Sequence, residues 1–463
     1  MREALRRVIL FSMLSCFFIF SPGISVETAE RPFPLSSVLI EDSLKSSLPL
    51  NAKWSFSASD LDTGKQILNT GNAKGIPLIP GSLAKLLITG AVLDMDSKEG
   101  ISMDTVTATD GIISHGKLRG NLYLKGSGNA FLSERDIEIA AEEIRSKGVK
   151  EITGNIVADD SLFDAKGWKG SYQGPAYGPS GALGLDLHTI SITVLGRPPN
   201  IRIEPSNDAV RVSFTLDGQP AIRQIDDLTY EVRGSLSDST IIKKRFPLKD
   251  PAIYAAWTLK TLLSKKGISH KGTIARGKMP AESIEIVIMK SKDLSEIIRD
   301  TNNNSLNVVA ENLLLLIGER RFGPPGTVEK GIMVVRELLH DIGVPSEKAA
   351  FADGSGLSHK NRITSDQMVI FLKNISGKPW FKTFYESLPR AGMDGTLKDV
   401  GYKNEHIRAK TGQLHDVYCI AGYVERKNKG LTAFSYMVNV PGAALLEKDR
   451  IGLLLERLAT GVL

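Results

Sequence analysis

The sequence predicts a mixed α/β (α+β) protein divided into two or three domains. Helical and strand-like segments alternate along it, a β-rich block occupies about 189–248, and 463 residues exceed what one ordinary core accommodates. With 42% hydrophobic and 24% charged residues, the chain is globular, not disordered or fibrous. The 58 Lys+Arg against 52 Asp+Glu leave a net charge of only +6, and no Lys/Arg run with interleaved aromatics points to nucleic acid.

The N-terminus reads as a secretory signal peptide over residues 1–25. "MREALRR" supplies the basic region, "VILFSMLSCFFIF" the apolar region and "SPGIS" the small-residue exit, with cleavage after Ser25. The apolar run Val8–Phe20 is 13 residues, short of a membrane span, and no second span follows. An uncleaved anchor is the alternative. Cleavage leaves Cys419 as the only cysteine, which excludes an intramolecular disulfide and makes packed cores the source of stability. Export, with a periplasmic location, is the resulting expectation.

The elements follow in order. "WSFSASDLDTGKQILN" reads as two strands around an Asp-Thr-Gly turn. In "IPGSLAKLLITGAV", Pro80 and Gly81 halt the preceding segment and Ser82 is placed to cap a helix. Leu83, Leu86, Leu87, Ile88, Ala91 and Val92 make that helix apolar on most sides, hence buried. The stretch from Lys117 to Asp164 reads strand, turn, helix, strand, with Ser133 capping the helix and Gly148 ending it. The β-rich block then gives way to a helix whose first turn holds Pro251. An Asn-rich break interrupts a helical region at about 302–304, and strands joined by turns, one at "RKNKG", fill 405–440. Ala444, Leu445, Ile451, Leu454, Leu455 and Leu458 mark a closing helix that covers a sheet.

Ser82 and Lys85 are one turn apart on the buried helix, so their side chains share a face. A serine needs a base to attack a carbonyl, and a lysine serves only when neutral, which burial or a neighbouring positive charge brings about. The pair also fits a capped helix start with a solvated lysine. Ser114–Lys117 has the same spacing without a helix, so the spacing alone decides nothing. Two more motifs follow in the order such a site needs. Ser305–Leu306–Asn307 opens a helix and brings a hydroxyl and a carboxamide that can orient base and substrate. Lys410–Thr411–Gly412, which occurs once, ends a strand-like segment; Lys410 adds positive potential and Gly412 permits close backbone approach. Ser127–Gly128–Asn129 repeats the Ser–x–Asn spacing outside such a context.

These motifs, with "ITGNIVADDSLFD", "YGPSGALGLDLHTISITV", "FADGSGLS", "LPRAGMDGTL" and "AKTGQLHDVYCIAGYV", resemble the penicillin-binding protein 4 family of D-alanyl-D-alanine carboxypeptidases/endopeptidases over nearly the whole mature chain. The resemblance implies a β-lactamase/transpeptidase-like peptidase domain, 30–98 and 286–463, split by an inserted α/β region, 99–285, with 189–248 as a β-rich subdomain. The 220 positions between Lys85 and Ser305 leave room for that insertion. It further implies Ser82 as the acylated nucleophile and Lys85 as its general base. Ser305 would relay a proton to the leaving D-alanine, Asn307 would bind the substrate amide, and Lys410 would supply positive potential. Thr411 and its neighbours would hold the terminal carboxylate, and the backbone N–H groups of Ser82 and Gln413 would form the oxyanion hole. The partners implied are peptidoglycan stem peptides, with β-lactams as inhibitors, and no cofactor. The family's Lys–Thr–Gly–Ser reads Lys–Thr–Gly–Gln here. The lost hydroxyl leaves both carboxypeptidase and endopeptidase cleavage open.

Seven histidines form no metal-ligand spacing, and "KGSGN" lacks the Gly–Lys–Ser/Thr ending of a phosphate loop. Asp159, Asp160 and Asp164, near Tyr177, read as turn chemistry, with the resemblance adding that one of them meets the cationic end of a wall peptide. Two rival functions stay open: a serine β-lactamase, which needs a deacylating carboxylate, and a non-catalytic cell-wall-binding protein.

Overall fold

A computed structural model describes residues 41, 44–45, 48–164, 178–215, 217–226, 228–427, 430–440 and 450–460. The signal-peptide reading, Cys16, Tyr177, Ala444 and Leu445 lie outside the described residues. From residue 53 the elements run β1 (Lys53–Asp60) and β2 (Gln66–Thr70), then a 3₁₀ turn at Gly81–Leu83 that leads into α1 (Ala84–Glu99). Next come β3 (Thr105–Thr109), β4 (Ile112–Ser114), β5 (Lys117–Arg119), β6 (Leu122–Lys125), α2 (Glu134–Ser146), β7 (Glu151–Ile152) and β8 (Ile156–Asp159). As its sequence suggests, α2 is capped by Ser133 in a capping box with Asp136, and Gly148 follows its end at φ +84°.

The β-rich block is built from β9 (Thr189–Leu195), β10 (Asn200–Glu204), β11 (Arg211–Thr215), β12 (Ala221–Gln224), β13 (Thr229–Arg233) and β14 (Ile241–Pro247). They form two three-stranded sheets, β10-β9-β14 and β11-β13-β12, around Ile190, Ile192, Tyr230 and Val232. After them α3 (Pro251–Lys265) starts at Pro251 with Asp250 capping, and β15 (Ser269–His270), β16 (Ile274–Arg276) and β17 (Ile284–Met289) follow. The five-stranded sheet β16-β8-β6-β3-β17 carries α2 and α3, whose Ile137, Ala140, Ile144, Ala255 and Leu259 are fully buried against it. β17 pairs antiparallel with β3, so this sheet extends through position 285 to Met289.

The last third contains α4 (Leu294–Asn303), α5 (Asn307–Phe322), α6 (Val328–Asp341), α7 (Ser365–Ile375) and α8 (Phe381–Ser387). It ends with β18 (Arg390–Ala391), β19 (Asn404–Leu414), β20 (Val417–Glu425), β21 (Leu431–Asn439) and α9 (Arg450–Thr460). These late strands join the first two in a six-stranded antiparallel sheet of order β18-β19-β20-β21-β1-β2. The pleat sorts their side chains between two cores. Along β20, Val417, Cys419, Ala421 and Tyr423 face a core shared with α1, α5, α6 and α7, whereas Tyr418, Ile420 and Val424 face the core under α9. Ile451, Leu454, Leu455 and Leu458 of α9 are buried there with Trp54, Phe56 and Tyr436. Each such aliphatic side chain contributes about 1.5–3 kcal/mol by leaving water, which fixes α9 over the sheet. Cys419 is buried, and burial raises its thiol well above the ordinary value.

Candidate active site

The site forms where the Gly81–Leu83 turn meets α5, β19 and a loop at 352–358. α1 is an internal helix: Ala84 to Met95 are all buried, because apolar side chains cover its whole circumference and it packs on α4, α5 and α6. Lys85 is therefore fully buried. Ser82 does not cap this helix. It sits one residue into the 3₁₀ turn, where no side-chain cap bond forms, and its hydroxyl meets Lys85 instead. The tighter turn keeps Oγ half-buried at the helix entrance rather than folded back on the backbone.

Lys85 Nζ has three partners: Ser82 Oγ at 2.9 Å, Asn307 Oδ1 at 2.7 Å and the Ser355 main-chain oxygen at 2.6 Å. Burial lowers its pKa from the ordinary lysine value to about 7, against the opposing pull of Glu311 and Asp353. A lysine poised near neutrality within hydrogen-bond reach of a serine hydroxyl has the properties of a general base. Lys410 is also fully buried, and its Nζ donates to the Thr411 carbonyl at 2.7 Å. Burial, then repulsion from Lys85, pushes Lys410 well below the ordinary value. The expectation that Lys410 neutralises Lys85 thus changes emphasis: desolvation is the principal cause of the lowered Lys85 pKa.

Asn307 opens α5 and is buried, with its carboxamide oxygen engaged by the lysine. Ser305 lies in the link between α4 and α5 at φ +57°, half-buried, and among the described residues its hydroxyl bonds neither Ser82 nor Lys85. Lys410, Thr411 and Gly412 lie within β19, which runs on to Leu414 instead of ending at the motif. Thr411 Oγ1 donates to Thr396 Oγ1 at 2.9 Å, and Gln413 is exposed beside it. Gly412 is required by close approach: a Cβ there would stand 2.5 Å from the Pro80 oxygen and 3.0 Å from the Ser82 nitrogen. A Cβ on Gly81 would in turn lie 3.4 Å from the Gln413 nitrogen, so the Ser82 and Gln413 backbone nitrogens flank the same contact.

Sequence reasoning missed Glu311, Asp353 and Ser355. Glu311, fully buried on α5, accepts from Gly354 N at 3.0 Å and Ser355 N at 2.8 Å. Asp353 accepts from Gly356 N at 2.8 Å, Ser358 N at 2.6 Å and Asn361 Nδ2 at 2.8 Å. The available signals were a lone glutamate four residues after Asn307 and the glycine-rich "ADGSGLS". Of the three aspartates singled out earlier, Asp159 is buried and accepts from Ser161 N and Met279 N, and Asp160 pairs with Arg276. Among the described residues, no group of His, Cys, Asp and Glu is arranged to hold a metal ion, and no helix is long and apolar enough to cross a membrane.

Known proteins share this arrangement of the chain. The D-alanyl-D-alanine carboxypeptidase of Actinomadura sp. (strain R39) is 29% identical over 415 residues, covering 82% of this chain and 76% of that one. The crystal structure of penicillin binding protein 4 (dacB) from Haemophilus influenzae superposes with a TM-score of 0.76 at 22% identity, covering 90% of this chain and 99% of that one. The same protein complexed with a novel β-lactam gives a TM-score of 0.72, at 22% identity and 90% and 97% coverage. A model of the D-Ala-D-Ala carboxypeptidase 3 (S13) family matches residues 39–457. The chain is therefore a member of the D-Ala-D-Ala carboxypeptidase 3 (S13) family.

Proposed function

We propose that this protein is a serine D-Ala-D-Ala carboxypeptidase/endopeptidase that cleaves peptidoglycan stem peptides through an acyl-enzyme on Ser82, and that β-lactams acylate the same serine. The observation that carries the reading is the 2.9 Å contact between Ser82 Oγ and the nitrogen of a wholly buried Lys85. Lys85 takes the hydroxyl proton as Oγ bonds to the carbonyl carbon, and the Ser82 and Gln413 N–H groups receive the developing oxyanion. Collapse of the tetrahedral intermediate breaks the peptide C–N bond, and Ser305 passes the proton to the leaving amine. Water then attacks the ester, Lys85 again accepts a proton, and Ser82 is released.

Lys410 and Thr411 hold the substrate's terminal carboxylate in this reading, with Gly412 leaving the β19 edge open to a substrate strand. Burial disfavours the charged form of both amines. An arriving carboxylate favours protonated Lys410, and a charge there opposes one on Lys85 when Ser82 must be activated. Asn307 orients the base through Oδ1 and faces the substrate amide. The peptidase domain is assigned to 30–98 and 286–463 around the inserted 99–285 region, with 189–248 as its subdomain; β17 carries the inserted sheet past that boundary to Met289. The signal-peptide reading of residues 1–25 supports export to the periplasm.

The rival β-lactamase reading needs a carboxylate that activates a deacylating water. The two carboxylates acting on Lys85, Glu311 and Asp353, are buried and already accept backbone N–H groups with both oxygens. The deciding experiment mixes the purified protein with a fluorescent penicillin and follows the adduct over time. A stable adduct mapped to Ser82 is expected. Rapid turnover indicates a β-lactamase, and no adduct indicates a wall-binding protein; either result overturns the peptidase reading.

A further inference from the structure

We propose that Glu311 is a positioning residue for the lysine base: its carboxylate grips the Gly354 and Ser355 N–H groups and so aims the Ser355 carbonyl at Lys85 Nζ. The inference rests on the reading of Ser82 as nucleophile and Lys85 as base. A neutral amine has two N–H donors and one lone pair. The Ser355 oxygen at 2.6 Å and Asn307 Oδ1 at 2.7 Å are acceptors and take the two donors. The direction left is toward Ser82 Oγ at 2.9 Å, so the lone pair faces the proton it must remove. Without both acceptors the amine rotates freely, and the lone pair points at the hydroxyl only part of the time.

A main-chain carbonyl points where its peptide plane is held. The plane carrying the Ser355 oxygen also carries the Gly356 N–H, which Asp353 Oδ1 accepts at 2.8 Å. The two preceding N–H groups are held by the two oxygens of Glu311. Among the described residues Glu311 supplies the side-chain hydrogen bonds from α5 to this loop, and it lies four residues after Asn307, on the same face of the same helix. Both acceptors of Lys85 are thereby referred to one rigid element. A fully buried carboxylate in a leucine-rich helix is costly, and among the described residues no cation forms an ion pair with Glu311. Burial and Asp353 raise its pKa, and the groups that face it electrostatically are Asp353 and Lys85, beyond which lies Lys410.

The test is rapid mixing of the full-length protein and Glu311→Gln with a fluorescent penicillin across the pH range. Amplitude counts folded molecules, whereas the rate constant reports the base. An amide can accept only through its oxygen and turns its NH₂ on the other backbone donor. Misplacement of a catalytic group by about an ångström costs about a hundredfold, so E311Q is expected to acylate roughly a hundredfold more slowly on the alkaline plateau. Its acid limb changes in position and steepness, because Glu311, whose pKa burial raises, no longer titrates beside Lys85. A purely structural role lowers amplitude and leaves the rate constant and limb in place, which overturns the proposal. If E311Q yields no folded fraction, Glu311→Asp is read the same way: a slower rate with an unmoved limb supports the role, and an unchanged rate overturns it. An unlabelled Ser82 in the wild-type protein overturns the peptidase reading itself, whereas a labelled wild type with unaltered variants overturns the positioning role alone.

Discussion

Lys85 Nζ lies 2.9 Å from Ser82 Oγ at the entrance of α1, while the rest of the lysine is enclosed by protein. The contact couples one helical turn of sequence spacing to a dry environment, and each half is needed. The spacing brings the atoms together; the burial removes the charge that would make the amine useless as a base.

The first prediction concerns that charge. With the amine's pKa near 7, penicillin acylation of Ser82 should climb with pH through that value and level off above it. Lys85→Met removes the base while retaining an unbranched side chain. General base catalysis is worth about 10²–10⁴-fold, and K85M should lose acylation rate on that scale, with its pH dependence flattened. Stopped-flow labelling over pH checks both outcomes; a K85M protein that acylates at the wild-type rate removes Lys85 from the mechanism.

Stability should carry the same signature. Lys85 titrates near 7 in the folded protein and near its ordinary 10.5 when unfolded. Between those values the unfolded chain binds a proton that the native state does not, so unfolding becomes harder as pH rises. Below about 7 both states hold the proton and this contribution is flat. Lys410 is displaced in the same direction and adds to the slope. Denaturant midpoints of the wild type should therefore increase between about pH 7 and pH 10, and the increase should shrink in K85M.

Gly412 should tolerate no side chain. An alanine Cβ meets the Pro80 oxygen at 2.5 Å and the Ser82 nitrogen at 3.0 Å, so β19 and the nucleophile turn must separate. Forcing atoms into a packed site costs about 1–3 kcal/mol, and the displacement falls on the oxyanion donors. Gly412→Ala is expected to lower the unfolding midpoint modestly and the acylation rate by more than about tenfold. Equal losses of amplitude with an unchanged rate constant would contradict the placement of the oxyanion hole.

How much of this was legible in the sequence depended on where the chemistry resides. Ser82 and Lys85 stood out because the twelve consecutive buried residues Ala84–Met95 make a mostly apolar helix around a lysine. Ser305, Asn307 and Lys410 stand out because they belong to short side-chain motifs; of these, Asn307 bonds Lys85 Nζ directly, and Lys410 is buried with it. The Ser355 carbonyl could not, since any residue supplies a main-chain oxygen and its aim is set by loop folding. Glu311 resembles a solvated helix residue in sequence, and its partners lie 43 and 44 positions away as backbone groups. Ser82 was misjudged as a cap because a serine after Pro-Gly fits a cap and a 3₁₀ turn equally well, and tertiary packing against β19 decides between them. The helices with conventional caps, those starting after Ser133 and Asp250, needed no such context.

Asn312 supplies the last prediction, away from the chemistry. Its carboxamide nitrogen donates to the Gly128 oxygen at 2.9 Å and the Gly181 oxygen at 3.0 Å, and its oxygen accepts from Gly181 N at 3.0 Å. One side chain of α5 thus satisfies three backbone groups, one on Gly128 and two on Gly181. Asn312→Ala leaves those groups unpaired in a buried place, where each costs about 1–3 kcal/mol. The variant should lose about 3 kcal/mol in denaturant unfolding, the lower part of the summed range because the loop can relax. The surviving folded molecules should be labelled by penicillin at the wild-type rate constant, since Asn312 touches neither Ser82 nor Lys85. A destabilised protein with an intact rate constant identifies Asn312 as the fastener between α5 and the Gly128 and Gly181 loops; an unaltered midpoint shows that these three hydrogen bonds add nothing to stability.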